Sequence, residues 1–219
     1  MDKLPVFPLN TVVFPGTPLK LHIFEERYRT MVHHCLSEMQ PFVVSLIRSG
    51  EEANAAPAEP NRIACAVKIT QMEPLPDKRL NITVTGCNRV ELTLLHFDQP
   101  FLTATVRDLP LPSSAADNLS SVDRKLRALL LRYAKLLSQV MELRIEPDDI
   151  PANTDALAFL AAYILQIPML EKQQLLAATS LPTLVLQLLS TYQREVALFD
   201  CLRQPTYHAS ADKYAFSAN

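Results

Sequence analysis

Glycine is scarce in this sequence. The 219 residues contain 3 glycines, at positions 16, 50 and 86, against 17 prolines, and tryptophan is absent. A phosphate-binding loop needs closely spaced glycines, followed by a lysine and a serine or threonine, so that backbone amides can face the phosphates. Glycines this far apart cannot form such a loop, and we therefore expect no ATPase activity.

Basic residues are not in excess either. The chain has 21 Lys and Arg against 23 Asp and Glu, a formal net charge of −2 and a pI of about 6.2. Proteins that bind nucleic acids usually carry a strong basic surplus. We therefore expect no nucleic-acid partner.

Long apolar runs are missing as well. No run approaches the roughly 18 residues that a membrane-spanning helix needs. The first residues, Met1-Asp2-Lys3-Leu4-Pro5, carry a charge of each sign and an early proline, unlike a signal peptide. With 48% hydrophobic and 20% charged residues, the chain has the composition of a folded globular protein. We expect it in the cytoplasm, without a membrane partner.

Cysteine is sparse and scattered, which argues against a disulfide framework. We expect the four cysteines to be buried free thiols in a reducing compartment: Cys35, Cys65, Cys87 and Cys201. His33-His34-Cys35 is the only local cluster with zinc-ligand chemistry, but consecutive helical residues point about 100° apart and cannot chelate one ion together. We expect Cys35 to face inward, both histidines to be partly solvated, and no metal or cofactor to be bound.

The first hundred or so residues predict strands with one helix among them. Apolar or alternating runs predict strands at 41–48, 63–72, 80–95 and 101–106. Residues 74–78 predict a hairpin turn, and the small, polar residues 51–60 predict a mobile loop. Apolar residues at spacings of three and four predict a helix from about Glu25 to Glu38.

The second half of the chain predicts helices only. Prolines and polar residues at 109–118 indicate a boundary. Four helices are predicted beyond it: 122–143, of about six turns and ended by Pro147 and Pro151; 156–166, capped by Asn153 or Thr154; 168–179, opened by Pro168; and a last one with Pro182 in its first turn. We expect a β-rich domain at 1–112, a helical bundle at 113–204 and a flexible tail at 205–219.

Three separated stretches carry a family resemblance. They are residues 4–29, with Leu4-Pro5-Val6-Phe7-Pro8-Leu9 and Val12-Val13-Phe14-Pro15-Gly16; the turn residue Asp77 with Gly86 and Arg89; and the helical residues 157–162 and 171–176 with the leucine-rich last helix. In order and spacing they resemble the amino-terminal, substrate-binding domain of the ATP-dependent Lon proteases. The positions that match, which we expect to be mainly structural, are Pro8, Leu9, Phe14, Pro15, Glu25, Arg27, Tyr28, Gly86 and Arg89.

The resemblance implies an α+β fold. The expected architecture is a six-stranded, incompletely closed, PUA-like pseudo-barrel with one crossing helix, followed by a helical bundle. Three positions depart from the family pattern: Lys78 and Ala64 stand where relatives often have glycine, and Leu184 stands where an arginine is typical. In Lon proteases this domain engages substrate proteins, and the ATPase and the Ser-Lys protease lie in other domains. The chain therefore resembles a stand-alone recognition module without catalytic residues.

The leading hypothesis is a non-enzymatic protein-binding module. It would bind unfolded chains or a specific partner through an apolar surface where barrel and bundle meet, near residues 7–14 and the 51–60 loop. The alternative is an RNA-binding PUA-like module, which would need a positive groove with stacking aromatic side chains. A hydrolase is the third possibility, and the missing motifs argue against it. The sequence leaves the oligomeric state open.

Other charged residues have structural explanations as well as functional ones. Glu25, Arg27 and Arg89 are expected to cap or to form ion pairs. Adjacent acids Asp148 and Asp149 are expected to solubilise a loop and to favour the start of the next helix. The long helix carries Arg124, Lys125, Arg127, Arg132, Lys135 and Arg144 against Asp123 and Glu142. These cations form either a solvated outer face or a basic ridge that docks an acidic partner.

Overall fold

The first half of the molecule is a strongly curved sheet with one helix. The computed structural model describes residues 2–50, 58–112, 120–140 and 145–203. Within them the strands are β1 (Asp2–Leu9), β2 (Pro18–Ile23), β3 (Phe42–Ser49), β4 (Glu59–Pro60), β5 (Ile63–Pro74), β6 (Leu80–His96) and β7 (Thr103–Asp108). The helices are α1 (Glu26–Ser37), α2 (Ser120–Leu137), α3 (Thr154–Ile164), α4 (Met169–Leu176) and α5 (Leu181–Arg203).

The strand β1 joins the two ends of the sheet. The strand order is β1-β7-β6-β5-β3-β4, with β2 paired to β6. Residues 2–5 of β1 pair antiparallel with β7, and residues 6–9 pair parallel with β3. Each neighbour is thus bonded to only half of β1, which gives an incompletely closed pseudo-barrel followed by a helical bundle. The predicted fold class is confirmed, but the described sheet has seven strands where six were expected.

The predicted strands lie where the patterns put them, with ends shifted by one or two residues. Three strands were missed. The strand β1 contains Pro5 and Pro8, which are unusual within a strand. The strand β2 was missed although Leu19, Leu21 and Ile23 alternate with the exposed residues Pro18, Lys20 and His22, which is a strand pattern. The prediction of a loop through 60 was wrong at its end, because Glu59–Pro60 pairs with β3 as β4. Residues 51–57 lie outside the described residues.

The sheet separates two small cores. One face carries small and β-branched side chains that fill the barrel: Val6, Val43, Ala64, Ala66, Val90 and Ala104. The other face packs against α1 through Phe7, Phe42, Cys65 and Val67. Ala64, one of the departures from the family pattern, is fully buried and is accommodated as part of the barrel filling.

A third core joins the bundle to the barrel. It consists mainly of α2, α3 and α5 side chains, with Tyr133 and Tyr192 edge to face at 5.3 Å. Val12, Phe14 and Leu46 from the barrel half belong to the same core. The boundary residues 113–119 and the predicted tail at 205–219 lie outside the described residues.

The long helix is shorter than predicted. It ends at Leu137, where Gln139 N donates to Leu136 O at 3.3 Å and Val140 N donates to Leu137 O at 2.9 Å. These three-residue bonds tighten the chain into a turn, and Val140, predicted to face the core, is 76% exposed. The prediction of about six turns was wrong for residues 138–140, and residues 141–144 lie outside the described residues.

The other predicted helices are present with small shifts. Asn153, one of the two cap candidates, accepts from Asp155 N at 2.7 Å and from Ala156 N at 3.2 Å. Pro168 is the residue before α4, and Pro182 lies in the first turn of α5. Leu184, where relatives have arginine, is fully buried in the bundle core.

Candidate functional site

The predicted site residues separate into two regions of the molecule. One set surrounds a cavity of about 180 Å³, here called the barrel pocket, whose lining includes Pro8, Arg27, Tyr28, Phe97, Pro100 and Phe101. The other set lies where the barrel meets the bundle, beside a cavity of about 420 Å³, here called the junction cleft, whose lining includes Pro15, Cys87, Arg89, Asp108, Asp155 and Phe159. Leu9 lies in neither lining and is buried beside α1.

The first turn of α1 forms one wall of the barrel pocket. The Tyr28 ring stacks on Phe7, with centroids 3.9 Å apart and an interplanar angle of 29°. The Arg27 guanidinium lies 4.6 Å from the Tyr28 ring centroid, within range of a cation–π interaction. Glu25 precedes the helix without capping it, and its carboxylate accepts from Arg27 Nε at 2.8 Å. The Arg27 charge is thus held between a carboxylate and an aromatic ring.

The connection from β6 to β7 forms the opposite wall. Phe97 is 64% exposed at its start, whereas Phe101 is buried and lies 5.8 Å from the His34 ring. Lys3 Nζ donates to both carboxylate oxygens of Asp98, at 2.9 and 2.7 Å, and ties the connection to β1. That pairing lowers the pKa of Asp98. The pocket therefore combines a fixed wall with an exposed aromatic side chain.

At the junction, Gly86 permits a close backbone approach. A Cβ at this position would lie 2.2 Å from Phe14 O, with 2.9 Å to Phe14 C. Gly16 N donates to Gly86 O at 2.9 Å, and Gly86 N donates to Thr17 O at 3.0 Å. The turn that follows Phe14 therefore lies directly on β6, and it carries the buried Phe14 ring into the bundle core.

Arg89 connects the barrel to the bundle from a buried position. It is 4% exposed, and its Nη2 donates to Ala178 O at 2.7 Å, just beyond the end of α4. The nitrogens Nε and Nη1 have no partner among the described residues, and burial lowers the pKa of the group. Arg89 was expected either to cap or to form an ion pair. It hydrogen-bonds a carbonyl just beyond a helix end, as a capping side chain does, and it forms no ion pair among the described residues.

The cysteines and histidines are arranged partly as expected. Cys35 faces inward, burial raises its pKa to about 12, and His33 and His34 are exposed. The prediction that all four thiols are buried was wrong for Cys87 and Cys201. A register shift between β5 and β6 after Ala66 leaves Cys87 unpaired and exposed, and Cys201 lies in the last turn of α5. Across the described ranges, no three metal-ligating side chains lie together.

The adjacent acids after α2 form a local turn. Asp149 accepts from Glu146 N at 2.9 Å, and the two side chains cap Pro147–Asp149 reciprocally. Asp148 is exposed. The expected role in a solvated turn is consistent with this geometry, although the pair does not begin the next helix.

Sequence reasoning missed the aromatic wall at 97–101. We predicted that an apolar binding surface lies where barrel and bundle meet. The junction cleft in that region has both polar and apolar residues in its lining. The barrel pocket instead lies between β1, α1 and the β6–β7 connection, beside Ala58 at the end of the 51–60 segment. The only sequence signal was Phe97 among the polar residues that follow a strand, which by itself indicates no pocket.

Comparison with known proteins agrees with the resemblance. The family model described as "ATP-dependent protease La (LON) substrate-binding domain" matches residues 3–191. A Lon protease of Anaeromyxobacter dehalogenans is 27% identical over 208 residues, covering 88% of this chain and 23% of the relative. A Lon protease of Phenylobacterium zucineum is 26% identical over 184 residues, covering 82% of this chain and 23% of the relative. The chain thus spans about a quarter of the length of these relatives.

Two solved structures have the same fold. A Lon N-terminal domain protein from Xanthomonas campestris superposes with a TM-score of 0.67 at 22% identity, covering 87% of this chain and 98% of that one. The N-terminal domain of a Mycobacterium avium complex Lon protease superposes with a TM-score of 0.69 at 16% identity, covering 88% and 98%. In the described part of the chain, no helix is long and apolar enough to cross a membrane.

Proposed function

Because the chain belongs to the family of Lon protease substrate-binding domains, we propose that it binds polypeptide segments through the barrel pocket and performs no chemistry on them. The family assignment indicates a substrate-recognition module. The matched relatives support this proposal only for the part of their length that the chain covers.

The exposed ring of Phe97 above the pocket is the observation that carries the proposal. A large aromatic side chain that is 64% exposed, next to Tyr28 and Arg27, has the composition of an interaction hot spot. The cavity of about 180 Å³ is smaller than a typical pocket for a drug-sized ligand. It suits one apolar side chain of a larger partner.

The charges around the pocket favour an apolar ligand. Arg27 is paired with Glu25, and Lys3 is paired with Asp98. A bound apolar side chain would therefore not leave either cation buried and unpaired, which would be costly. An unfolded chain, or a specific partner with an exposed apolar segment, fits this surface.

The proposal can be tested with a labelled, permanently unfolded protein and fluorescence anisotropy at two salt concentrations. Phe97→Ser should weaken binding about tenfold, which corresponds to about 1.4 kcal/mol. Phe24→Ser is a matched control, because Phe24 is 59% exposed and does not line the pocket. It should change the affinity less than twofold.

Several results would contradict the proposal. Absence of saturable binding would rule out general recognition of unfolded chains. Equal losses of affinity in the Phe97→Ser and Phe24→Ser variants would rule out the barrel pocket as the binding site. A labelled RNA that binds in a salt-sensitive way, while the unfolded protein does not, would favour the RNA-binding alternative.

We also propose that the protein is not an enzyme and that it works in the cytoplasm. The matched family is a substrate-binding domain, and the sequence has no phosphate-binding loop. Two exposed free thiols, Cys87 and Cys201, suit a reducing compartment. Incubation with ATP and a labelled unfolded protein should release neither phosphate nor peptides.

A further inference from the structure

The outer face of α2 carries only positive charges. Arg124, Lys125, Arg132 and Lys135 are exposed, and at about 100° per residue their side chains fall within an arc of about 100°. Within this arc, residues 121–139 contain no acidic residue, and small or polar residues occupy its remaining positions. We call these four cations the basic face.

The neighbouring charged side chains of α2 form contacts with other parts of the molecule. Arg127 donates from Nη2 to Pro151 O at 2.7 Å and to Ala152 O at 3.1 Å, and it lies 3.9 Å from Asp123. Asp123 also accepts from Thr154 Oγ1 at 3.1 Å. Asp123 therefore points toward α3 and does not neutralise the basic face.

Among the described residues, only one side chain of the basic face has a partner. Arg132 Nη2 lies 2.6 Å from Asp200 of α5. The side chains of Arg124, Lys125 and Lys135 form no hydrogen bond or ion pair with any described residue. Of the other charges in the predicted ridge, Glu142 and Arg144 lie outside the described residues.

This charge pattern differs from that of an ordinary solvated helix. Such helices usually place opposite charges three or four residues apart, which stabilises them slightly. In α2, Arg124 and Arg127 are three residues apart, as are Arg132 and Lys135, and like charges at this spacing are unfavourable. The whole chain has a formal net charge of −2, so the sign of this face is opposite to that of the chain as a whole.

We propose that the basic face docks an acidic segment of a partner protein. Carboxylates from outside would supply the opposite charges that the basic face itself lacks. From Arg124 to Lys135 the face extends about 16 Å along the helix axis at 1.5 Å per residue, the length of a short peptide segment. The surface is separate from the barrel pocket and does not depend on the function proposed for it.

The composition of the face favours a protein over a nucleic acid or a membrane. The arc has no exposed aromatic side chain on which a base could stack. It has no large apolar side chain that could insert into a bilayer, since Ala128 lies at its centre.

The test uses a labelled peptide of alternating Glu and Ser and a second peptide with Gln in place of Glu. The full chain should bind the Glu peptide and not the Gln peptide. The triple variant Arg124→Gln, Lys125→Gln, Lys135→Gln should weaken that binding at least tenfold at low salt. Raising the salt should also weaken binding of the unmodified chain, because the Debye length falls to about 8 Å at 0.15 M.

A second triple variant controls for net charge. Lys20→Gln, Arg62→Gln, Lys68→Gln removes one arginine and two lysines that are exposed on the barrel half, and it should keep the affinity within twofold. Circular dichroism should show both variants folded, and Phe97→Ser should leave Glu-peptide binding unchanged. Equal losses in the two triple variants, no binding of the Glu peptide, or binding only of RNA or anionic vesicles would overturn the proposal.

Discussion

The barrel pocket and the junction are built from positions of the same family pattern, but the two regions use those positions differently. In the pocket, Arg27 and Pro8 border open space, and Phe97 stands largely in solvent. At the junction, Phe14 and Arg89 are buried, and Gly86 has no room for a side chain. The same family pattern therefore contributes residues both to the wall of an open pocket and to a closed contact between barrel and bundle.

The largest expected effect is at the junction. Gly86→Ala places a Cβ 2.2 Å from the Phe14 carbonyl oxygen, and only a backbone shift can relieve that contact. We expect a loss of about 3 kcal/mol in the free energy of unfolding, measured by urea denaturation, at the upper end of the usual cost of overpacking, because the contact is with backbone rather than with a flexible side chain.

Gly16→Ala is the matched control for this change. Gly16 has a φ of 77° and nothing within 4 Å of its Cβ position, so only backbone strain of about 1 kcal/mol is expected. Folded Gly86→Ala protein should still bind the unfolded substrate with unchanged affinity. A large loss of affinity in a fully folded Gly86→Ala protein would mean that the junction takes part in binding.

A smaller effect is expected from the thiols. In the native protein Cys87 and Cys201 should react with a thiol reagent, whereas Cys35 and Cys65 should not, because burial raises the pKa of each buried thiol to about 12. The reaction can be followed by mass spectrometry. Since Cys87 lines the junction cleft, its modification should leave binding at the barrel pocket unchanged, and loss of binding would contradict the assignment of the pocket.

The same two buried thiols predict how stability depends on pH. Their ordinary pKa is 9.0, and in the folded protein it is about 12. As the pH rises, the unfolded chain therefore loses these two thiol protons before the folded protein does. The contribution of the thiols to the free energy of unfolding is complete below pH 9 and is lost as the pH rises toward 12. Urea midpoints measured between pH 8 and pH 11 should fall, and they should fall less in a Cys35→Ala, Cys65→Ala variant.

The smallest expected effect lies outside both regions. Lys78, where relatives often have glycine, has a φ of 61° in the turn between β5 and β6. A left-handed conformation is unfavourable for a lysine and costs glycine nothing, although glycine loses more chain entropy on folding. Lys78→Gly should therefore raise the free energy of unfolding by about 0.5 to 1 kcal/mol and leave peptide affinity unchanged. A destabilised variant would show that this turn is not strained.

Much of the fold could be predicted because local patterns determine it. The alternation in β6 and the apolar stripe of α5 lead to elements at the predicted places. The end of α2 could not be predicted, because the apolar spacing continues to Val140 although that side chain has nothing to pack against. The strand β4 has two residues, too few to produce a pattern.

The candidate site was predicted less well than the fold. The resemblance identified Arg27 and Tyr28, and their closeness in sequence to Glu25 explains the pairing of Arg27 with that carboxylate. The opposite wall, with Phe97 and Phe101, is brought to them by the sheet from about seventy residues further along the chain. The proximity of the two walls of the pocket depends on strand pairing, which leaves no local signal in the sequence. The role of Gly86 likewise became clear only from the position of Phe14.

The divided pairing of β1 has a consequence for the order of folding. Its first half needs β7, which lies about a hundred residues away in sequence, and its second half needs β3. Contacts of such sequence separation form slowly, because loop closure must come first. Val12 and Phe14 follow β1 and enter the bundle core, so placing this strand closes the barrel and completes the bundle in one cooperative step. In native-state hydrogen exchange, the amides of β1 and those of the α2–α5 core should therefore open with the same free energy.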